Sequence, residues 1–186
     1  MLKIWSFLAQ FWQETKTVGS FIPSTPILAR RILSHVDFDK AKIIVEVGPG
    51  TGVFTRRILK RLGPTTKFYI FELNKSFCEN LQKEINDNRC VIINDSAEHI
   101  QNYIEKDGYT SVDYIISSLP LSNFSPKLIV GLLQKFRSCI GVHGELIQFQ
   151  YSFNQKHLIH KMFQKVEMDF TQFNIPPGFI YICSNK

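Results

Sequence analysis

The amino-acid sequence predicts an α/β fold in which helices cover a mostly parallel, seven-stranded sheet. Short apolar runs of strand length alternate with longer segments of helical periodicity along the chain. The first run leads through a glycine-rich turn into a helix, as strand–turn–helix units of parallel sheets do. Near the C-terminus two further runs are separated by Pro176, Pro177 and Gly178, which predicts an antiparallel hairpin at the sheet edge.

The order of the elements follows from the same patterns. After an N-terminal helix, a second helix is expected over 27–36, because Pro26 suits the first turn of a helix. The expected strands are 42–47, 67–72, 90–94, 112–118, 144–151, 165–173 and 178–184, and the later helices are 52–62, 75–86, 96–105, 125–139 and 154–163. The 186 residues, 44% of them apolar, suffice for one core and little more. We therefore expect a single domain over 21–186 behind an N-terminal helix over 1–20.

The turn after the first strand is the strongest indication of function. Residues 43–52 read IIVEVGPGTG, with three glycines spaced two apart. Glycine accepts positive φ and has no Cβ, so the backbone can bend sharply and a ligand can lie against it. We predict that this turn forms one wall of a nucleoside site, through Gly48, Pro49, Gly50, Thr51 and Gly52.

Glu46, just before the turn, indicates the charge of the ligand. A pyrophosphate-binding turn follows the pattern G-x-G-x-x-G, whereas here the third glycine comes one residue early. A carboxylate at Glu46 would also repel phosphate and attract a cation. We therefore predict that Glu46 faces a cationic nucleoside.

Two acidic strand ends extend the predicted site. The run FYIFEL contains Glu72, about twenty residues beyond the turn, where nucleotide sites place an acid on ribose hydroxyls. We predict that Glu72 binds the ribose, with Leu73 beside it; the alternative is an ordinary solvated strand end. The next strand leads to Asp95, which can accept a hydrogen bond from an adenine amino group while a backbone N–H pairs with a ring nitrogen. Asp95, Ser96 and Ala97 are thus predicted adenine contacts, and the alternative is that they cap the following helix.

The fourth strand ends in a further candidate segment. The run VDYIISSLPL over 112–121 breaks at Pro120. In open α/β sheets ligands lie at the carboxyl ends of the strands. The segment 117–121, which begins at Ser117, is therefore expected to face the reacting group.

These motifs together resemble the class I S-adenosylmethionine-dependent methyltransferases. The motifs are EVGPGTG, the acid at Glu72, DSA over 95–97 and SLPL over 118–121, and the likeness extends from about residue 23 to the C-terminus. The resemblance implies a Rossmann-like methyltransferase sheet, an enzyme that transfers a methyl group, and S-adenosylmethionine as its cofactor, with Ser117 among the cofactor contacts. A non-catalytic relative that only binds the cofactor is the alternative.

Two branches of that superfamily compete for the acceptor. The run IISSLPLSNF is similar to the ribosomal RNA adenine dimethyltransferases, whose corresponding tetrad is Asn-Leu-Pro-Tyr or Asn-Leu-Pro-Phe. The runs VGSFIPST, VGPGTGVFTR, SSLPL and QFQYS are closer to the bacterial phospholipid N-methyltransferases. This chain has Leu121 in place of the ring that stacks a flipped base and Ser118 in place of the amide, and such stacking is worth about 1–3 kcal/mol. We expect methylation of the phosphatidylethanolamine amine at a membrane surface, with ribosomal RNA adenine, other RNA or a small amine as the alternative.

A phospholipid amine is mostly protonated near neutral pH and must lose a proton before it is methylated. Ser118 and Tyr151, which ends the fifth strand, are the expected catalytic residues, because they can bind the head group or lead that proton to water. The alternative for Tyr151 is a place in the packed core.

In the N-terminal segment apolar residues recur at helical spacing. Met1, Ile4, Trp5, Leu8, Phe11 and Trp12 fall on one side. Such a face can lie in a lipid interface, although it can also pack on the enzyme or on a dimer partner. The segment is too short to span a bilayer and lacks the cleavage site of an export signal. The expected location is therefore cytoplasmic, at the inner face of the membrane.

The remaining composition narrows the partners. The formal net charge of +6 favours an anionic partner, which fits a phosphate-bearing membrane and RNA equally. The four cysteines contain no C-x-x-C pair, so reduced thiols are expected. His157 and His160 share a helical face without a third ligand, so no metal site is expected. The sequence leaves the oligomeric state open.

Overall fold

The computed structural model describes residues 26–171 and 177–186. The predicted N-terminal helix over 1–20 lies outside these residues. The strands are β1 (Ile43–Val47), β2 (Lys67–Phe71), β3 (Cys90–Ile93), β4 (Val112–Ser117), β5 (Ile140–Gln150), β6 (Lys165–Thr171) and β7 (Gly178–Ser184). The α-helices in the described part of the chain are α1 (Pro26–Leu33), α2 (Val53–Leu59), α3 (Lys75–Glu84), α4 (Ile100–Lys106), α5 (Pro126–Cys139) and α6 (Lys156–Met162).

The strands form one seven-stranded sheet in the order β3-β2-β1-β4-β5-β7-β6. The first five strands pair in parallel, and β7 pairs antiparallel with both β5 and β6. The predicted fold class is therefore confirmed, including the C-terminal hairpin at the edge of the sheet. Because β1 to β5 run in one direction, their carboxyl ends meet at one edge, which we call the carboxyl edge.

Apolar side chains fill both faces of the sheet. One core packs α4, α5 and α6 against residues such as Val45, Tyr69 and Ile115. The other core packs α1, α2 and α3 against the opposite face of the sheet, which includes Ile44 and Ile116. Adjacent strand residues point to opposite faces, so a strand covered on both sides reads as a continuous apolar run. This explains why the central strands were predictable.

Several boundaries differ from the predicted ones. The expected helix over 96–105 begins as a 3₁₀ turn, Ala97–His99, before α4, because the Ser96 side chain caps this turn by accepting from the Glu98 N–H. Strand β5 begins at Ile140, directly after α5, rather than at residue 144. The helices α1 and α2 end earlier than expected, at Leu33 and Leu59.

Candidate functional site

A cleft opens at the carboxyl edge above β1, β2 and β3. Its empty volume is about 490 Å³, part of which is open to solvent. Six of the residues predicted from the sequence line it, namely Gly48, Glu72, Leu73, Asp95, Ser96 and Ala97. On the opposite side the lining is apolar and includes Leu119, Phe124 and Leu128. The topology thus brings together residues that are far apart in the chain.

The glycine turn adopts a backbone that requires glycine. Gly48, Gly50 and Gly52 have φ angles of 70°, 55° and 79°, in the left-handed region that other residues avoid. A Cβ on Gly48 would lie 3.0 Å from the Leu119 side chain, inside the cleft lining. Pro49 is buried and Thr51 is exposed. The turn therefore presents bare backbone to the cleft.

Glu72 fastens this turn to the end of β2. Its side chain accepts hydrogen bonds from the Gly50 N–H at 3.0 Å and from the Asn74 N–H at 2.7 Å. Burial raises the pKa of Glu72, and these backbone donors oppose the rise. A carboxylate has about four acceptor positions, so acceptor capacity remains for a ligand hydroxyl. The predicted ribose contact stays a prediction.

Asp95 is held by groups that the sequence analysis missed. His99 Nδ1 lies 3.0 Å from its Oδ2, and the Tyr103 hydroxyl donates to the same oxygen at 3.1 Å. Burial alone would raise the pKa of Asp95, but contacts from Ser96, His99 and Tyr103 lower it below its usual value. The carboxylate is thus an anionic acceptor at the cleft wall. The sequence did contain a sign of this contact, because Asp95, His99 and Tyr103 are spaced four residues apart and can share one face of a helix.

Ser96 has the capping role that the sequence analysis kept as its alternative. The contacts of Asp95, Ser96 and Ala97 with adenine are untested and stay predictions.

Glu46 lies outside the cleft lining and is 1% exposed. Neither carboxyl oxygen makes a hydrogen bond of normal geometry within the described residues. Burial raises its pKa to about 8, an effect that nearby Thr55 opposes and Glu72 reinforces. The carboxyl is therefore protonated at neutral pH. Attraction of a cation requires that Glu46 lose this proton when the ligand binds.

This raised pKa predicts a pH-dependent stability. Between pH 4.5, the ordinary pKa, and about 8, folded Glu46 keeps a proton that the unfolded chain releases, so the free energy of unfolding falls as pH rises. The decrease attributable to Glu46 is at most about 5 kcal/mol, from 1.36 kcal/mol per pKa unit. Urea unfolding at several pH values should show Glu46→Gln gaining stability over the wild type as pH rises. Surface Glu79→Gln is the control, and a constant difference between Glu46→Gln and the wild type would contradict the prediction.

The 117–121 loop follows β4 beside the cleft. Ser117 is buried, and its hydroxyl accepts from the Leu119 N–H at 3.4 Å. The Ser118 N–H donates to the Val47 carbonyl at 3.1 Å, while the Ser118 hydroxyl is buried without a hydrogen-bond partner in the described chain. Leu121 is fully buried.

Two buried glutamines of β5 hold this loop, and sequence reasoning missed both. The Gln148 amide donates to the carbonyls of Ser117, Leu119 and Phe149 at 3.2, 3.1 and 2.9 Å. The Gln150 amide donates to the Leu119 carbonyl at 2.7 Å and also contacts the Phe149 carbonyl. The Leu119 carbonyl therefore already accepts hydrogen bonds from both glutamine amides.

Replacing Gln148 by leucine should destabilise the fold. The change removes the amide that donates to three carbonyls, and an unsatisfied buried acceptor costs about 1–3 kcal/mol. Because Gln150 still reaches two of the three carbonyls, we expect a loss of about 1–3 kcal/mol for the single variant and more for the double variant. Urea unfolding measures the loss, with exposed Gln134→Leu as the control. Equal stability of Gln148→Leu and the control would contradict this role.

Tyr151 stands apart from the cleft lining. It is 43% exposed, and its ring packs edge-to-face on Phe149 with centroids 4.7 Å apart. It follows β5 and therefore lies at the carboxyl edge, but not in the core. The catalytic roles of Ser118 and Tyr151 stay predictions.

The cleft fits the adenosyl sulfonium cofactor that the resemblance implies. The glycine turn offers backbone that a Cβ would obstruct, Glu72 has acceptor capacity for hydroxyls, and Asp95 is an anionic acceptor. Within 26–171 and 177–186 no group of three His, Cys, Asp or Glu side chains is arranged to hold a metal ion. None of the helices described is both long enough and apolar enough to cross a bilayer.

Comparison with known proteins agrees with this geometry. Residues 13–168 match the sequence model of the ribosomal RNA adenine dimethylase family. Ornithine lipid N-methyltransferase from Singulisphaera acidiphila is 24% identical over 95% of this chain and 93% of its own. Ribosomal RNA small subunit methyltransferase H from Christiangramia forsetii is 31% identical over 53% of this chain and 32% of its own.

A solved structure shows the same fold. Precorrin-6y C5,15-methyltransferase from Geobacter metallireducens superimposes with a TM-score of 0.66 at 11% identity, over 90% of this chain and 91% of its own. Since the family match spans most of the sequence, the chain belongs to the ribosomal RNA adenine dimethylase family and is a methyltransferase that uses S-adenosylmethionine.

Proposed function

We propose that this enzyme methylates the primary amine of a membrane lipid head group, with phosphatidylethanolamine as the expected acceptor. The similarity to a lipid N-methyltransferase over nearly the full length of both chains supports a lipid acceptor. That relative acts, by its name, on an ornithine lipid, which is a second amine-bearing lipid to test.

The proposal depends mainly on which groups the 117–121 loop offers to an acceptor. Leu121 is fully buried in the core, so this position offers no ring on which a flipped base can stack. Ser118 offers a hydroxyl instead of an amide, and two glutamine amides occupy the Leu119 carbonyl. A flexible aliphatic amine needs neither a stacking ring nor a planar pair of acceptors. The loop therefore favours an alkyl amine over adenine.

The cofactor supplies the methyl group on a sulfonium sulfur, and the chain supplies alignment and a dry environment. Glu72 fixes the glycine turn through the Gly50 N–H, which holds the cleft wall in place. Leu119, Phe124 and Leu128 form the apolar side of the cleft and exclude water there. Reaction by displacement requires no covalent protein nucleophile.

The acceptor amine must be unprotonated when it attacks. The Ser118 hydroxyl has no hydrogen-bond partner within the described residues, so it has the capacity to accept a hydrogen bond from the amine. Because this oxygen is buried, the contact requires the 117–121 loop to open locally. Tyr151, at the solvent-exposed edge, can pass the displaced proton to water. The apolar cleft side lowers the amine pKa by disfavouring its charged form. These three contributions complete the proposed mechanism.

The proposed place of action is the inner face of the cytoplasmic membrane. The amphipathic segment 1–20 is the proposed anchor and the net charge of +6 attracts anionic lipid.

The experiment supplies methyl-labelled cofactor to the full chain together with one acceptor at a time. The acceptors are vesicles of phosphatidylethanolamine, of ornithine lipid or of phosphatidylcholine, each mixed with phosphatidylglycerol, and ribosomal RNA. Phosphatidylcholine is the matched control, because its amine is already fully methylated. We expect label in the amine lipids only. Label in RNA without label in lipid would contradict the proposal.

RNA is the second candidate because two comparisons favour it. The matching family is described by its action on ribosomal RNA adenine, and a relative with 31% identity is a ribosomal RNA methyltransferase. The net positive charge suits RNA as well as lipid. The RNA arm of the same experiment tests it.

A further inference from the structure

Exposed aromatic side chains form a patch at the end of the sheet that β5, β7 and β6 make up. Phe153 and Phe170 are 49% and 48% exposed, although large apolar side chains are usually buried. Both contact Phe179, with ring centroids 3.6 and 5.2 Å away. Met168, 37% exposed, lies two residues before Phe170 on the same face of β6. We call these four side chains the aromatic patch.

The patch lies at the same edge of the sheet as the 117–121 loop. Strand β5 runs parallel to β4 and ends at Gln150, so Phe153 follows at the carboxyl edge. Strand β7 is antiparallel to β5 and begins at that edge, which places Phe179 there. Phe170 pairs with Phe179 in register. A flat surface resting on the patch would therefore also lie near the reacting loop.

The surroundings of the patch are basic. The chain contains no Asp or Glu between residues 146 and 166, and α6 carries the exposed side chains of Lys156, His157, His160 and Lys161. The Lys156 N–H donates to the Phe153 carbonyl at 2.9 Å, so α6 begins directly beside the patch. No carboxylate of the described residues pairs with the side chain of Lys156 or Lys161.

The acidic residues of β6 do not cancel this charge. Asp169 lies on the other face of the strand, where Arg31 and His35 contact it at 2.8 and 2.9 Å. Glu167 pairs with Lys165 at 2.7 Å. The aromatic patch and α6 together therefore combine an apolar surface with lysines that no described carboxylate pairs, which is the composition of surfaces that lie in an anionic lipid interface.

We propose that the aromatic patch and α6 dock the enzyme on an anionic lipid surface, with the phenylalanines among the lipid chains and Lys156 and Lys161 at the phosphates. This inference rests on the proposed lipid acceptor and adds the surface that brings the enzyme to it. RNA fits less well, because the rings of Phe153 and Phe179 pack on one another and are therefore less open to stacking with a base. The docked orientation turns the carboxyl edge toward the head groups.

Vesicle binding of the full chain tests the proposal. Two double variants, Phe153→Ser with Phe170→Ser and Lys156→Gln with Lys161→Gln, are sedimented with vesicles of phosphatidylglycerol and phosphatidylethanolamine. The controls are Val142→Ser, a 71% exposed residue near the start of β5, and Lys135→Gln in the last turns of α5. We expect at least a tenfold lower partition for both double variants and no change for the controls. High salt should weaken the lysine contribution and leave the aromatic one.

The outcomes separate docking from chemistry. Wild-type partition in both double variants would overturn the proposal and place the anchor elsewhere in the chain. Loss of RNA binding with unchanged vesicle binding would also overturn it. Methylation of a short-chain phosphatidylethanolamine in free solution should be equal in the wild type and the variants, which shows that they are folded and active. If no amine lipid is methylated although vesicle binding depends on the patch, the proposed function fails and the docking surface stands.

Discussion

Replacing Glu72 by alanine is expected to lower the affinity for S-adenosylmethionine by about 30- to 100-fold, which corresponds to about 2–3 kcal/mol. The change removes the carboxylate that accepts from the Gly50 and Asn74 N–H groups and that lines the cleft. Two consequences add up: the turn loses its attachment to β2, and ligand hydroxyls lose a charged acceptor. Hydrogen bonds to charged groups are worth about 1.5–3 kcal/mol each.

Isothermal titration measures this loss, and two further variants identify its source. Glu72→Gln keeps one amide oxygen as an acceptor, so its affinity should lie between those of the wild type and Glu72→Ala. The exposed Glu79→Ala carries the same change of charge on α3 and should bind like the wild type. Wild-type affinity in Glu72→Ala would remove Glu72 from the ligand site.

The glycine turn gives the second large effect. Gly48→Val places a branched side chain at a φ of 70°, where its Cβ would meet Leu119 at 3.0 Å and project into the cleft lining. Gly108→Val is the matched control, because Gly108 has a φ of 83° with no atom within 4 Å of a Cβ. In both variants backbone strain should lower the free energy of unfolding by about 1–2 kcal/mol.

Cofactor affinity should separate the two glycine variants. We expect it to fall by at least about tenfold in Gly48→Val, a loss of about 1.4 kcal/mol or more, and to stay at the wild-type value in Gly108→Val. Thermal unfolding establishes how much of each protein is folded at the temperature of the titration. Equal affinities in the two variants would show that the turn does not form a wall of the ligand site.

Local pattern was sufficient to predict the framework of the fold. The strands β1, β2 and β4 are covered on both faces, so their runs are mostly apolar and stand out in the sequence, although β1 contains Glu46 and β4 contains Asp113. The turn could be recognised from the spacing of its glycines. The positive φ angles of Gly48 and Gly52 explain why these positions need glycine. The 3₁₀ turn before α4 was missed because it depends on the Ser96 cap, which shortens the first turn without changing the apolar pattern.

The site was only partly predictable because its remaining contacts join distant segments. Gln148 and Gln150 alternate with apolar neighbours, which is typical of a half-exposed strand, yet both are buried because their amides meet the 117–121 loop. Glu46 was predicted as a carboxylate that faces a cationic ligand. Its burial in the folded chain, which raises its pKa to about 8, could not be read from the sequence, and its contact with the ligand stays a prediction. The spacing of Tyr103 from Asp95 was visible in the sequence, but their contact needed the fold to be recognised.

The most direct test of the account is a calorimetric titration of S-adenosylmethionine into the full wild-type chain. The cleft at the carboxyl edge of β1 to β3 predicts one saturable site per chain, with affinity weakened in Glu72→Ala and in Gly48→Val. Absence of any heat or saturation with the wild type, in a sample shown to be folded, would contradict the assignment of this cleft and every step built on it.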